Sequence, residues 1–448
     1  MLGWLKKAPA IPRLPENMIA KMYRIFRIRT LIGIFVGYAG YYLVRNNFTL
    51  STPFLKSEFG FTPSQLGMLS AALAVTYGIS KFFMGNLADK AHTQRFIAVG
   101  LFMAGLVNLF FLSSASSFGL IFMMLIINGV FQGMGAPPCS IVLANWFSKK
   151  ERGTYMGIWN SSHNIGGGII APIVGVSLGI LGSAYWQSAI FVVPGIMAMV
   201  IAVFVWFCGK DTPQSVGLPP VDEYRNDYDD VERNPEGDKL SMKEILFKYV
   251  LKNKFIWFLC LSNVFVYFIR FGVLNWVPLY LTEVKGFTQS QYQLAFAIFE
   301  WAAIPSSLIV GWLSDKVFKG NRMPLCIISM AGVVLATLVY WQSTNVIIIN
   351  IAISIIGCLI YVPQFLIGLS AIDFVPKFAV GTTVGMTGLF AYLFGNLTAS
   401  ALVGFIVESS GWNGCFLMLL ASGVMAALFL TLIQIGRKKQ LANAANQA

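Results

Sequence analysis

Two short stretches of this sequence place a tyrosine three positions before an arginine, each inside a long apolar run. The first is YLVR, Tyr42 to Arg45, and the second is YFIR, Tyr267 to Arg270. An arginine keeps its charge in a protein, so each of these two needs a partner, water or a ligand. Its planar guanidinium donates paired hydrogen bonds to phosphate or carboxylate. The repeated stretch therefore indicates anion binding.

Five ionisable residues, including the two arginines, lie within the apolar runs, and only one of the five is an acid. Each charge at the centre of a membrane costs roughly 2.5 to 3.5 kcal/mol on insertion scales, so a functional role is the first interpretation. A structural alternative pairs Arg270 with Glu300 and Arg45 with backbone carbonyls. That alternative leaves the duplicated arginine unexplained. The five residues are Arg45, Lys81, His163, Arg270 and Glu300.

Aromatic and amide side chains follow the arginines at helical spacing. Positions i, i+4 and i+7 share one helical face, and both arginines end such a series. Phenolic hydroxyls on that face would add neutral hydrogen bonds to an anion. The two series are Tyr38, Tyr42, Arg45 and Asn263, Tyr267, Arg270, and further tyrosine candidates are Tyr361 and Tyr392.

Composition identifies an integral membrane protein that contacts the lipid bilayer. Of the 448 residues, 56% are hydrophobic and 11% are charged. A helix needs about 20 apolar residues to span the hydrocarbon layer, and that length predicts an all-α protein with twelve spans. The predicted spans are 30–51, 65–87, 96–113, 118–146, 154–181, 186–208, 255–281, 291–313, 323–341, 345–370, 379–406 and 413–435.

The positive charges are distributed unequally between the two ends of these spans. With the N-terminus inside, 27 of the 32 Lys and Arg residues lie on the inner side, and only Lys56 and Lys285 on the outer side. Positive residues concentrate on the cytoplasmic side of membrane proteins. We therefore expect both termini in the cytoplasm, and the net charge of +13 reflects orientation and not a nucleic-acid partner. The first span has no signal-peptide cleavage site after it and is expected to remain.

The sequence predicts no enzyme, metal site or cofactor. There are only two histidines, and the cysteines show no CxxC pair, so a metal site is not expected. Walker and HExxH motifs and a cluster of nucleophile and base are also not found. All six cysteines lie in or beside apolar spans, where we expect packing roles: Cys139, Cys208, Cys260, Cys326, Cys358 and Cys415.

The sequence indicates two related halves. A hydrophilic stretch rich in proline and mixed charge, 209–254, separates residues 1–208 from residues 255–448, and we expect one amphipathic helix near 241–250 within it. The loop GNLADKAHTQR aligns with GWLSDKVFKGNR at an offset of 226, and GTYMG aligns with GTTVG at an offset of 228. The arginine stretches repeat at 225. These matching offsets predict two pseudo-symmetric six-helix bundles.

The two loops with the pattern G-x-L-[A/S]-D-K resemble the signature of the major facilitator superfamily, whose halves enclose a substrate near the membrane midplane. The stretches GYAGYYLVRNNF, YGISKFFMGNLAD, FQGMGAPPC, WNSSHNIGGG, DTPQSVGLPP and NVFVYFIRFGVLNW resemble the organophosphate:phosphate antiporters within it. The resemblance implies an inner-membrane transporter, expected to be monomeric, that exchanges an organic phosphate for inorganic phosphate. Asp89 and Asp315 in the loops would act as conformational latches.

The same resemblance assigns roles to individual residues. Arg45 and Arg270 match the phosphate-binding pair of the family, His163 matches a histidine between them, Lys81 a basic position and Glu300 an acidic or polar one. Glycerol-3-phosphate members have Lys at the position of Asn46, and several stretches resemble the phosphoglycerate branch, including VRNNFTLSTPFLK and FEWAAIPSSLIVGWLSDK. Phosphoglycerate or phosphoenolpyruvate is the favoured substrate. The alternatives are a glycerol-3-phosphate or hexose-6-phosphate antiporter, and a membrane receptor for an external organophosphate.

Overall fold

The computed structural model describes residues 3–88, 90–226, 244–318, 321–376 and 379–445, and their secondary structure is helical apart from one isolated bridge between Lys6 and Ala91. This confirms the predicted all-α class. The α-helices are α1 (Glu16–Leu43), α2 (Asn47–Phe59), α3 (Pro63–Ala88), α4 (Thr93–Leu106), α5 (Phe118–Gln132), α6 (Ala136–Trp146), α7 (Lys149–Leu181), α8 (Val193–Cys208), α9 (Val221–Arg225), α10 (Lys254–Leu274), α11 (Val277–Glu283), α12 (Gln289–Lys316), α13 (Arg322–Gln342), α14 (Val346–Asp373), α15 (Val380–Phe390) and α16 (Leu397–Ala445).

Short π-helical segments continue several of these helices. They are Val107–Leu112 after α4, Ser188–Val192 before α8, Ile245–Leu251 before α10 and Ala391–Asn396 between α15 and α16. The segment Ile245–Leu251 covers most of the region for which a linker helix was expected, and residues 241–243 of that region lie outside the described residues.

Ten helical segments of the described residues are long and apolar enough to cross a membrane, where the sequence predicted twelve spans. One segment, Thr383–Lys439, contains the last predicted span and most of the one before it, 379–406. Gly411 separates them, because its φ of 71° is a left-handed conformation that glycine adopts without steric cost. The first predicted span, 30–51, is not among the ten segments. It is interrupted where α1 ends at Leu43, and the part of it that lies in α1 contains several tyrosines and glycines.

The chain folds into two compact units. Unit 1 consists of Met1–Phe61 and Ala72–Val231, and unit 2 of Thr62–Ala71 and Glu232–Ala448. In unit 1, α1 packs against α7 and α8, and α4 against α8. In unit 2, α10 packs against α16, and α14 packs against both α12 and α13.

The N-terminal leader is bound to the segment that follows α8. The backbone N–H groups of Ile11 and Leu14 donate to the carbonyls of Gln214 and Gly217 at 3.0 and 2.8 Å. Asp211, which is fully buried, accepts from the backbone of Ala8 at 2.9 Å. The leader is therefore an integral part of unit 1.

Candidate functional site

The first site residue, Arg45, lies in a break between α1 and α2. A helix end leaves backbone carbonyls without helical partners, and buried ones need substitutes. Here the carbonyl of Val44 accepts from three amide side chains, those of Asn128 at 2.9 Å, Gln132 at 3.4 Å and Asn108 at 3.5 Å. These amides stabilise the end of α1 inside an otherwise apolar run.

The guanidinium of Arg45 is held by one amide and by tyrosines. Its Nε donates to Gln132 Oε1 at 3.2 Å, and Nη1 donates to the Tyr42 hydroxyl at 3.3 Å. The guanidinium carbon lies 3.9 Å from the centre of the Tyr77 ring and 4.8 Å from that of Tyr42. Cation–π contacts of this kind are worth ~0.5 to 2 kcal/mol and leave N–H groups at the edge of the guanidinium. The side chain is thus oriented for an anion.

Close packing of α3 on α5 brings Tyr77 to this arginine. A Cβ on Gly133 would lie 2.3 Å from Ser80 Oγ, and one on Gly129 would lie 2.8 Å from Thr76 Cβ, so both positions require glycine. Ser80 also donates to the carbonyl of Val130 at 2.6 Å. Tyr77, which follows Thr76, is fixed by this crossing.

Lys81 lies one helical turn beyond Tyr77 on α3 and is half-buried. Tyr77 is the residue whose ring centre lies 3.9 Å from the guanidinium carbon of Arg45. The structure therefore brings the predicted Lys81 into the surroundings of Arg45, although the two residues are 36 positions apart in the sequence.

Helix α7 contributes an aromatic wall and a histidine. The Tyr42 ring centre lies 5.5 Å from that of His163, and the Tyr38 ring centre lies 4.8 Å from that of Trp159. A Cβ on Gly166 would lie 2.2 Å from the carbonyl oxygen of Ala39, so α1 and α7 cross in backbone contact. The close crossing that the triple glycine indicated is present, and it sets the distance between Tyr42 and His163.

In unit 2, Arg270 lies inside α10 and has a similar set of partners. Its Nη1 donates to Gln364 Oε1 at 3.0 Å, and Nη2 donates to the Tyr361 hydroxyl at 2.5 Å. The Tyr361 hydroxyl in turn donates to the carboxylate of the fully buried Glu300 at 3.2 Å. Tyr361 thus bridges Arg270 and Glu300, and the structural alternative of an arginine–glutamate pair takes the form of a three-residue chain.

The remaining candidates of α10 contact α15 and the π-helical segment Ala391–Asn396 that follows it. The rings of Tyr267 and Tyr392 meet edge to face at 5.3 Å, and Asn263 Nδ2 donates to the carbonyl of Thr387 at 3.1 Å. Gly395 allows this segment to pack closely against α10, because a Cβ at position 395 would lie 2.6 Å from Tyr267 Cβ. Asn263 therefore links two helices as well as preceding Tyr267 by one turn.

The structure gives less information about three further predicted residues, Asn46, Asp89 and Asp315. Asn46 is buried in the break between α1 and α2, next to Arg45. Asp315 belongs to the last turn of α12, but its side chain lies outside the described part of the structure, as does the whole of Asp89. The latch role of the two aspartates stays a prediction.

Four residues of the site were missed from the sequence. Gln132 and Gln364 each accept from one of the two arginines, and Tyr77 and Trp159 complete the aromatic wall of unit 1. The signal was present in the glutamines, since each is a hydrogen-bonding side chain inside an apolar run, and Gln132 lies in the stretch FQGMGAPPC. An uncharged amide costs less to bury than a charge, so a search for ionisable residues passes over it.

The helices and the buried polar site together define the class of protein. Many membrane-spanning helices, arranged in two units that each hold an arginine at a helix-lined polar site, are typical of a multi-pass solute transporter. The profile of the Major Facilitator Superfamily matches residues 32–397, and the chain belongs to that superfamily.

Individual relatives narrow the family further. The chain is 47% identical over 437 residues to a protein named glycerol-3-phosphate transporter from Bacillus subtilis (strain 168), covering 96% of this chain and 98% of the relative. It is 44% identical over 440 residues to one named phosphoglycerate transporter protein from Salmonella typhimurium, covering 97% and 95%. These relatives confirm the resemblance to the organophosphate:phosphate antiporter family, and their names indicate a transporter rather than an enzyme.

The fold is also that of a known structure. A bacterial homologue of the human lysosomal transporter Spinster, solved in an inward-facing and occupied conformation, superimposes with a TM-score of 0.72 over 91% of this chain and 97% of that chain. Its sequence is 16% identical, so the likeness concerns the fold.

Proposed function

We propose that this protein exchanges an organic phosphate for inorganic phosphate by alternating access, with Arg45 and Arg270 binding the phosphate group. The organic substrate in this proposal is 3-phosphoglycerate, 2-phosphoglycerate or phosphoenolpyruvate. We further propose that the chain works as a monomer in the cell inner membrane with both termini in the cytoplasm, as the charge distribution of the sequence indicates.

The observation that carries the proposal is the repetition of one arrangement in both units. In each, the arginine donates to a glutamine oxygen and to a tyrosine hydroxyl, and an aromatic ring lies within 5 Å of the guanidinium carbon. A glutamine amide and a tyrosine hydroxyl orient the guanidinium of each arginine. A dianionic phosphate group matches such a guanidinium in charge and in bidentate geometry.

Exchange follows from the electrostatic cost of the unliganded site. A conformational change that buries two cations in a low-dielectric environment is unfavourable unless an anion accompanies them. The change therefore occurs with a phosphate group bound, in either direction. An organic phosphate enters as inorganic phosphate leaves.

The substrate proposal depends on Lys81. A phosphoglycerate carries a carboxylate beside its phosphate, and Lys81 is a third cation close to Arg45 and Tyr77. The relatives do not choose between substrates, because the two names occur at 47% and 44% identity. The choice of substrate in this proposal therefore rests on the chemistry of Lys81, and transport assays test it.

A panel of substrates tests the proposal in proteoliposomes loaded with inorganic phosphate. We expect labelled 3-phosphoglycerate and phosphoenolpyruvate to accumulate faster than glycerol-3-phosphate and glucose-6-phosphate at equal concentrations. If glycerol-3-phosphate is preferred, the protein is an antiporter with a different substrate. If organophosphates bind without any of them being exchanged, the receptor alternative replaces the transporter.

Replacement of Lys81 by alanine separates the carboxylate contact from the phosphate contact. A hydrogen bond to a charged group is worth about 1.5 to 3 kcal/mol, so Lys81→Ala should weaken the apparent affinity for 3-phosphoglycerate roughly 10- to 100-fold. The affinity for inorganic phosphate should change much less. Lys21→Ala, which removes an exposed lysine of α1, is the matched control. An equal loss for both substrates would show that Lys81 does not contact the carboxylate.

A further inference from the structure

A cationic cavity lies in unit 1 at the end where α1 begins. Its volume is about 370 Å³, and its charged lining residues are Arg24, Arg27 and Arg225. Ligand pockets commonly measure ~300 to 1,000 Å³, so the space suits a headgroup-sized ligand. Sixteen residues of α1 separate Arg27 from Leu43, a length of ~24 Å at the rise of an α-helix. The cavity is thus distinct from the surroundings of Arg45.

The charged side chains around this cavity favour the binding of an anion. Glu151 forms ion pairs with Arg27 at 2.6 Å and with Arg225 at 3.5 Å, so two arginines share one carboxylate. Each guanidinium has five N–H donors, and these contacts use few of them. Arg24 is exposed and makes no hydrogen bond or ion pair with the described residues. Asp222 also lies near the lining residue Tyr23, so three arginines face two carboxylates among the described residues and a net positive charge remains there.

Stacked aromatic rings make the cavity rigid. The rings of Tyr23 and Tyr224 stack at 4.0 Å, and the rings of Phe147 and Tyr155 lie 4.1 Å apart. The guanidinium carbon of Arg27 lies 4.6 Å from the Phe147 ring centre, which fixes this arginine in the wall. The donors of Arg27 are therefore pre-positioned, which lowers the entropy lost when a ligand binds.

An apolar stripe leads from the cavity along α1. Ile25, Ile28 and Ile32 are 39%, 51% and 44% exposed, and their spacing places them on one side of the helix. In a membrane protein such residues contact acyl chains. Arg24 and Arg27 immediately precede the first predicted span, at the depth of lipid headgroups.

We propose that the cavity binds the phosphate group of an anionic phospholipid, whose acyl chains lie along the isoleucine stripe of α1. Arginine forks match a phosphodiester, and basic pockets between membrane helices bind such headgroups. Binding of a lipid here would join the start of α1, the start of α7 and the short helix α9. This binding does not depend on which solute the protein carries.

The test measures binding of fluorescent phosphatidylglycerol to the purified full-length protein, with fluorescent phosphatidylcholine as the neutral comparison. We expect tighter binding of phosphatidylglycerol, and a loss of roughly 30-fold in the double variant Arg24→Gln/Arg225→Gln, since each arginine near a lipid surface is worth about 1 kcal/mol. The control Lys21→Gln/Arg29→Gln removes two exposed positive charges of α1 without altering the cavity lining, and its binding should change less than threefold.

Three results would overturn the proposal. The first is equal binding of the two lipids, and the second is an equal loss in the control variant, which would indicate diffuse attraction to the basic leader. The third is displacement of phosphatidylglycerol by millimolar inorganic phosphate or glycerol-3-phosphate at unchanged ionic strength. That result would assign the cavity to a free phosphate.

Discussion

Arg45→Lys and Arg270→Lys should each reduce organophosphate exchange to about 1% of the wild-type rate or less. A lysine carries the same charge but lacks the planar fork, so it cannot keep both its glutamine and tyrosine partners while it binds an anion. Loss of two hydrogen bonds to a charged group, each worth about 1.5 to 3 kcal/mol, corresponds to at least a hundredfold effect. Initial rates of 3-phosphoglycerate uptake into phosphate-loaded proteoliposomes measure it.

The control for these variants is a conservative replacement outside the site. Arg29 is exposed and donates to the carbonyl of Phe207 at 3.3 Å, so Arg29→Lys should keep the wild-type rate. Each variant must also retain the wild-type yield in detergent, because a buried arginine contributes to folding. Wild-type exchange in either Arg45→Lys or Arg270→Lys would remove that residue from the proposed site.

Gly166→Ala should destabilise the protein and slow exchange at least tenfold. The added Cβ would lie 2.2 Å from the carbonyl oxygen and 2.7 Å from the Cα of Ala39, and backbone atoms cannot rotate away as a side chain can. Overpacking of this kind costs ~1 to 3 kcal/mol or more, and α1 and α7 must separate to relieve it. The separation also widens the 5.5 Å contact between Tyr42 and His163. Thermal unfolding of the purified protein and uptake rates measure the two effects.

Another glycine of the same helix supplies the matched control. A Cβ on Gly179 would meet no atom within 4 Å, so Gly179→Ala should be neutral or slightly stabilising. We expect a melting temperature roughly 1 to 3 °C lower for Gly166→Ala than for Gly179→Ala, since 1 kcal/mol shifts the melting temperature of a chain of this length by about 1 °C. Equal melting temperatures and equal uptake in the two variants would show that the crossing of α1 and α7 does not position the site.

The sequence predicted the membrane fold and the charged centre of each half, but not the local structure around Arg45. Hydrophobicity continues from residue 30 to 51, so periodicity gave one uninterrupted span. The helix instead ends at Leu43, because Asn108, Asn128 and Gln132 supply donors to its last carbonyls. Those donors lie more than 60 positions further along the chain, and only the tertiary structure brings them to Val44.

The contacts of Arg270 show a similar limit of sequence reasoning. Glu300 was noticed because it is the one acid within a span, and Tyr361 was one tyrosine among several candidates. The structure joins them in a chain with Arg270 through the Tyr361 hydroxyl. Spacing along one helix cannot reveal this chain, since its members come from α10, α12 and α14.

The proposed exchange is tested most directly by efflux of labelled phosphate from loaded proteoliposomes. External 3-phosphoglycerate should accelerate the efflux at least tenfold over buffer alone, and Arg45→Lys proteoliposomes should show no acceleration. Phosphate that leaves at the same rate with and without an external organophosphate, from liposomes whose protein binds that organophosphate, would contradict coupled exchange.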